Sequence, residues 1–403
     1  MAHTPLLAKP HTFYVRPAPG WLDLLEGEAT QILESPLQKY KFVPKISYLQ
    51  GVVKVHRCDW RQGLELLFRT TIAHDMEWLV SEFSCGSWSD LEKGLARTRW
   101  AEILPENVKT AHIAVNLHQG FTSGTAKLRT LFCNLTGIGH STGEDEQRIK
   151  CELRGNRFRI LISMAGRPLY QRGYKTVLSA IAPLPEHHAA ACVRWVMGDP
   201  HKSAPVKNIY IPFAGSGTLG FETLLVLSGA GVGAFDRSFA CESFPFNSRA
   251  TLAFLRKRIS QQLKHIKPTP TVVWNDINSQ AIQDLQKNID GFPAPAHHQV
   301  ESGDFFQFLP NFSGSDPILL LLNPPYGDRL AKKTVPTRLF SQIGKQINII
   351  FEKYKGQLRV GCICPDEMTW RAVISNVPSE KSETRHFTHG GKDMRLVRWG
   401  SVE

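Results

Sequence analysis

No stretch of the chain is apolar over the roughly 18 positions that a membrane-spanning helix needs. The opening residues, Met1 to Pro10, lack the charged-then-apolar layout of a secretory leader. Cysteine is sparse. None of the eight is spaced C-x-x-C, and Cys362-Ile-Cys364 falls in an apolar, strand-like run. Scattered cysteines of this kind argue against a metal knot or a disulfide framework and predict reduced core thiols in a cytoplasmic protein. Two histidine pairs, His187-His188 and His297-His298, lack the companions of a metal centre. Neighbouring histidines point opposite ways on regular elements, and no cysteine or acid set completes a site. Ser216 lacks the histidine and acid arrangement of a nucleophile elbow, which argues against a hydrolase. No internal repeat or low-complexity tract is present.

The chain does carry positive charge, with a net +12 and an isoelectric point near 9.3 over 403 residues. The excess is spread over both halves and predicts a polyanionic partner, most simply nucleic acid. The length suggests two or three domains. Residues 1–60 read as a small α+β unit, from strand Thr12–Arg16 through a helix ending near Glu34 to strand-like pieces at Lys45–Leu49 and Gly51–His56. Residues 61–173 form a second segment, with a helix over Gly63–Ala73, a strand at Ile113–Leu117, a turn-rich Gly120–Gly124 and a helix over Thr125–Leu135. An alternating strand follows at Arg157–Met164. Lys127 and Arg129 lie in the first turns of the Thr125 helix, and Arg154, Arg157, Arg159, Arg167, Arg172 and Lys175 crowd the end of the segment. Individually each reads as a solvated charge; together they suggest a surface that faces RNA or DNA.

Residues 174–403 alternate strand and helix. Strand signals at Ile209–Phe213, Thr271–Trp274, Gln299–Glu301, Ile318–Leu322, Leu358–Cys364 and Met394–Trp399 predict a largely parallel sheet with helices on both faces. Ligand sites of such sheets lie at the carboxyl ends of the strands. Three signals fall there. Gly215-Ser216-Gly217-Thr218 turns a buried strand into a helix, a layout that lets backbone amides approach a ligand. Asp276 stands where an acid would hold ribose hydroxyls, or alternatively begins the next helix, for which Asn278 is the better cap. Asp304, ahead of Phe305, could accept from an adenine amino group or could be a surface turn. Glu222 reads as a helix-face acid near the pocket floor.

Asn323-Pro324-Pro325-Tyr326 behind four leucines is the most specific signal. An exocyclic amine on an aromatic base is a poor nucleophile because its lone pair is drawn into the ring. The Asn oxygen and the carbonyl of the following Pro can accept from that NH2 and aim its lone pair at a methyl donor. Two prolines stiffen the loop, and the tyrosine ring can stack on a flipped base.

With these residues in view, the chain resembles the bacterial THUMP-domain RNA methyltransferases, nearest to the 23S ribosomal RNA guanine-N2 methyltransferase group. The likeness is carried by Arg172-Gly173-Tyr174 with Ala182-Pro183-Leu184, by Ala214 to Thr218, by Arg237 to Ala240 before Phe244-Pro245, by Asn275-Asp276, and by Asn323 to Leu330. Gly124 to Arg129 looks like the THUMP helix that faces RNA. The resemblance implies a C-terminal Rossmann-like class I methyltransferase domain, an N-terminal α+β ferredoxin-like and THUMP front end, and S-adenosylmethionine as donor. It assigns donor binding to Pro212, Phe213, Ala214, Gly215, Ser216, Gly217, Thr218, Asp276, Ile277, Asp304 and Phe305. It assigns the guanine to Asn323, Pro324, Pro325 and Tyr326, and RNA contact to Lys127, Arg129, Arg172 and Lys175. One departure stands out: the family usually has Asp before Pro212, and this chain has Ile211. Alternatives remain open at this point, a DNA adenine-N6 methyltransferase or a non-enzymatic RNA-binding protein whose donor pocket has decayed at Ile211.

Overall fold

In a computed structural model, residues 6–117, 124–142, 147–177, 184–198, 205–312, 316–326, 335–354, 358–377 and 382–400 are described. Parts of three sequence signals, at residues 120–123, 182–183 and 327–330, lie outside them.

The chain opens with β1 (His11–Pro17), α1 (Leu22–Glu34), β2 (Lys45–Tyr48), β3 (Val53–Cys58), α2 (Trp60–Arg69) and β4 (Ala73–Ser84). It continues through α3 (Trp88–Arg97), α4 (Trp100–Ile103), β5 (Thr110–Leu117), α5 (Gly124–Thr136), β6 (Gly139–His140), β7 (Arg148–Arg154) and β8 (Arg157–Ser163). Then come α6 (Glu186–Met197), β9 (Asn208–Pro212), α7 (Thr218–Ser228), α8 (Arg249–Leu263), β10 (Thr271–Asp276), α9 (Ser279–Gly291) and β11 (His297–Ser302). The last elements are β12 (Ile318–Leu322), α10 (Pro336–Lys353), β13 (Leu358–Cys364), α11 (Glu367–Ile374), β14 (Glu383–His389) and β15 (Lys392–Trp399).

Two compact units emerge, and the chain passes between them more than once. Unit 1 gathers Met1–Pro17, Leu25–Gln171 and Arg237–Arg258; unit 2 gathers Ala18–Leu24, Arg172–Asp236 and Ile259–Glu403. Unit 1 is built on one sheet in the order β2-β3-β1-β4-β8-β7-β5-β6. Its first four strands and α1 and α2 follow the β-α-β-β-α-β series of a ferredoxin-like unit, with β1 paired antiparallel to both β3 and β4. The division expected at residue 60 is therefore corrected. The ferredoxin-like half needs α2 and β4 to close, and β4 then pairs with β8, so one sheet runs through both expected front domains. The helix expected over Gly63–Ala73 also starts earlier, at Trp60. Gln62 Oε1 accepts from the Asp59 amide at 2.8 Å and fixes that start.

Unit 2 holds a sheet in the order β11-β10-β9-β12-β13-β15-β14. The neighbours from β11 to β13 run parallel, and β15 enters antiparallel against β13. Central strands β9 and β12 are buried at every position, which their apolar runs Ile209–Pro212 and Ile318–Leu322 require when helices cover both faces. The strand order reverses between β9 and β12, the point at which doubly wound sheets open a crevice at their carboxyl edge. The Rossmann-like reading of this region is borne out.

Candidate active site

The Gly-rich and Asn-Pro-Pro-Tyr loops leave the same edge of unit 2. In the parallel pairing of β9 with β12, Asn208 lies opposite Ile318 and Tyr210 opposite Leu320. The pairing ends at Tyr210 and Leu320, two residues short of both strand ends, and because the strands run parallel Pro212 and Leu322 leave the sheet at the same edge.

After Pro212 the backbone turns sharply. Phe213, Gly215 and Gly217 have φ of 54°, 53° and 92°. The value at Phe213 is unusual for a bulky residue and marks a backbone held by its surroundings. Its ring packs on Phe305 at 5.2 Å. Gly217 has no substitute, because a Cβ there would fall 2.5 Å from Phe221 and 2.7 Å from Leu285. A Cβ at Gly215 would meet nothing within 4 Å among the described residues. Gly217 also precedes α7 with no side-chain cap, which leaves first-turn amides to be satisfied from outside. Ser216 is buried, and its Oγ has no partner among the described residues.

The neighbouring loops are bonded to this turn. Ala214 N donates to Asn275 O at 3.0 Å, and Gly215 N donates to Asp276 Oδ2 at 2.8 Å. Gly303 N donates to Asp276 O, and Asn275 Nδ2 donates to Gly303 O at 3.1 Å. The ends of β9, β10 and β11 thus form one bonded rim. Asp276 Oδ1 also accepts from Asn278 N at 2.9 Å, whereas α9 is capped by Asn278, which accepts from Gln280 N and Ala281 N. Asp276 therefore steadies the Gly-rich turn rather than capping a helix, and its carboxylate retains lone pairs for further donors. Beside it Ile277 is 71% exposed, an apolar surface at the rim. Asp304 is half-buried and accepts from Phe306 N at 3.0 Å. Phe305 departs from expectation: it is a core side chain among Tyr210, Phe213 and the residues of α10, so its ring is not offered to a ligand.

At the end of β12, Asn323 is half-buried, and its Oδ1 is buried without a hydrogen-bond partner among the described residues. Pro324 is buried, with Pro325 and Tyr326 half-buried. A buried amide oxygen with no donor costs about 1–3 kcal/mol, which a donor from outside would recover.

Two cations expected to face RNA do not. Arg172 is 1% exposed and pairs with Glu222 of α7, Nε and Nη2 each 3.3 Å from a carboxylate oxygen. Tyr174 OH donates to the same carboxylate at 3.0 Å. Burial lifts the Glu222 carboxyl above its ordinary range against the pull of Arg172. Burial and then the Glu222 charge hold the Tyr174 phenol well above its usual value. Lys175 donates to Thr218 Oγ1 at 2.8 Å and pairs with Glu186 at 2.7 Å, its side chain 4% exposed. Both are corrected from RNA contacts to internal ties, because each meets an acid from elsewhere in unit 2. Sequence reading also missed Asn288. It is fully buried, its Oδ1 accepts from Thr176 N and Val177 N at 3.0 Å each, and its Nδ2 donates to Ser216 O at 3.2 Å. These bonds fasten the segment after Arg172 to the Gly-rich turn. Its only sequence signal was a polar residue on the inner face of an otherwise amphipathic helix.

One member of each histidine pair is tied to a tryptophan. His188 Nδ1 accepts from Trp21 Nε1 at 2.9 Å, and His298 Nδ1 from Trp274 Nε1 at 3.1 Å. In unit 1, Lys127 is exposed, with its ammonium 4.4 Å from the Trp88 ring, a cation–aromatic pair on the α5 surface. Arg129 is half-buried, and its Nε donates to Ile113 O at 3.1 Å, tying α5 to β5.

A family model described as an RMKL-like methyltransferase domain matches residues 172–395. The ribosomal RNA large subunit methyltransferase K/L of Hahella chejuensis is 26% identical over 196 residues, 48% of this chain and 27% of that protein. The chain thus aligns with about a quarter of that relative's length. The crystal structure of SMU.472, complexed with SAH, superposes with a TM-score of 0.73 at 19% identity, covering 98% of this chain and 99% of that one. A predicted N6-adenine-specific DNA methylase from Listeria monocytogenes superposes with a TM-score of 0.75 at 17% identity, covering 98% and 97%.

Proposed function

The chain belongs to the family of RMKL-like methyltransferase domains, and from that premise we propose that it methylates RNA, at the exocyclic N2 amine of a guanine, with 23S ribosomal RNA as the first substrate to test. The observation that carries this reading is the Oδ1 of Asn323 at the end of β12, buried and without a partner among the described residues, on the edge where the Gly-rich turn leaves β9. A carbonyl oxygen held without a donor fits an amine that arrives with the substrate.

The residues of the rim fit S-adenosylmethionine. The Gly215–Gly217 backbone and the uncapped start of α7 suit its carboxylate, and the orphaned Ser216 Oγ lies in the same turn. Asp276 would hold the ribose hydroxyls, and Ile277 with Asp304 the adenine. Bound there, the donor supplies an electrophilic methyl group on sulfonium. Asn323 Oδ1 and the Pro324 carbonyl accept from the guanine NH2, and Tyr326 supports the extruded base. The chain's own part would be to hold the amine nitrogen toward that methyl group, with the amine proton passing to solvent. The gain comes from aiming a weak nucleophile rather than deprotonating it. Lys127, beside Trp88, is the cation kept for RNA contact; Arg129 contributes its remaining donors.

Incubating the protein with labelled donor and ribosomal RNA, transfer RNA or duplex DNA, followed by nucleoside analysis, tests the reading. N2-methylguanosine in ribosomal RNA is expected. Label in duplex DNA alone, as N6-methyladenine, ends the RNA reading. Calorimetry without heat at millimolar donor would instead support loss of the pocket at Ile211.

A further inference from the structure

Unit 1 contains a cavity of about 290 Å3 that the methyl-transfer chemistry does not use. It lies where two helices begin. α2 starts at Trp60, α8 starts at Arg249, and Asn247 joins the two starts by accepting from Trp60 Nε1 at 2.5 Å and donating to Cys241 O. The inner wall is aromatic and stiff. Phe246 meets the Trp60 ring edge-on at 4.8 Å and Trp78 at 5.6 Å. Tyr40 is held at its far end, its hydroxyl donating to Glu65 at 2.5 Å, which leaves its ring to line the space. Lys39, Lys41 and Arg61, all exposed, also line it. The lining carboxylate, Asp59, is already engaged by the amides of Lys41 and Phe42 at 2.7 and 3.0 Å. Ser248 Oγ accepts from Thr251 N at the start of α8, whose helix field adds to the positive potential.

Flat aromatic walls, three cations and two helix starts around one hollow match a planar base attached to an anion. The volume sits at the low end of small-molecule pockets, roughly 300–1,000 Å3, which suits one nucleotide and not several. We propose that this cavity takes one unstacked nucleotide of a single-stranded RNA segment, its base against Phe246 and Tyr40 and its phosphates among Lys39, Lys41 and Arg61. The site rests on the RNA reading above and extends it. It gives unit 1 a grip on an unpaired strand, separate from the guanine that receives the methyl group.

The full-length chain and a fluorescein-labelled, ten-nucleotide single-stranded RNA test this by anisotropy. The combined variant Lys39→Ala, Lys41→Ala, Arg61→Ala is expected to bind at least about tenfold more weakly. The slope of log affinity against log salt should also become shallower by about 2, at roughly 0.7 for each phosphate that is no longer neutralised. All three side chains are exposed, so the melting temperature and the affinity for S-adenosylmethionine should stay unchanged. RNA binding within twofold of the parent chain overturns the site while leaving methyl transfer standing. A tenfold loss of RNA binding in a chain without methyl transfer keeps the site and sinks the other reading. Displacement of the RNA by micromolar AMP overturns the assignment to a chain nucleotide in favour of free mononucleotide.

Discussion

At the level of single residues, function and support divide between Asn323 and Glu222. The Asn323→Ala chain should keep its affinity for donor and RNA, because neither the Gly-rich turn nor the unit 1 cations are altered. It should lose methyl transfer by a factor of about 100 or more, the scale of removing one oriented hydrogen-bonding group at a reacting centre. Turnover and calorimetry on the same preparation check the split. Glu222→Ala should act on stability instead. It leaves the guanidinium of Arg172 buried without its carboxylate, and breaking a buried pair from one side costs about 3–5 kcal/mol, readable by denaturant unfolding. Arg172 and Lys175 were misread from the sequence for the same physical reason. A cation's exposure depends on what it meets, and their acids arrive from the far helix α7 and from the start of α6. Asn323 was legible because a strand, an amide and two prolines in succession constrain one another locally.

At the level of elements, local chemistry made the site strands legible and long-range pairing hid others. β9 and β12 announce themselves as short apolar runs ending in turn residues. β4 does not, since His74, Asp75 and Glu77 interrupt its apolar side chains. Those polar residues are satisfied only after folding: Glu77 pairs with Arg16 at 2.5 Å, and Asp75 accepts from Ser163 Oγ at 2.9 Å. Asp75 carries a pH signature. Burial, with Glu77 beside it, pushes its carboxyl up to about 7 from an ordinary 3.8. The folded state therefore holds a proton that the unfolded chain has released between those values, and stability falls as pH rises from about 4 to 7. Asp75→Asn removes that loss. The variant should melt a few degrees higher than the parent at pH 8, with the difference vanishing near pH 4. His11, lowered to about 4 by burial, acts in the opposite direction but cancels in the comparison. In the loop after β9, Gly217→Ala forces a Cβ against Phe221 and Leu285 at a left-handed φ. It should cost about 2 kcal/mol or more and weaken donor binding together with stability, a coupled loss that calorimetry and thermal melts would read together.

At the level of the whole molecule, composition predicted separable domains, and the folded chain interleaves them. A boundary at residue 174 suggests expressing the catalytic half alone, yet unit 2 includes Ala18–Leu24. That short piece is not incidental. Trp21 is fully buried, donates to His188, packs on the Phe387 ring at 4.9 Å, and lies 5.1 Å beneath the Arg385 guanidinium. Arg385 in turn donates to Gly20 O at 3.0 Å through Nε. A chain beginning at Arg172 loses this plug and exposes α6 and β14 where it sat. Losing a buried tryptophan costs about 3–5 kcal/mol, a large part of a marginal stability. Such a chain also retains Arg237–Arg258 without its unit 1 partners. Phe239 would lose its stack on Phe68 at 4.6 Å, and Arg237 its bonds to the carbonyls of Arg167, Pro168 and Gln171. Residues 172–403 alone should therefore aggregate or melt far below the full chain and bind S-adenosylmethionine poorly, and removing 237–258 alone should not rescue them because the Trp21 site stays empty. Solubility, melting temperature and donor calorimetry on the two truncations decide it: a soluble fragment 172–403 with full donor affinity would show that the plug contributes nothing.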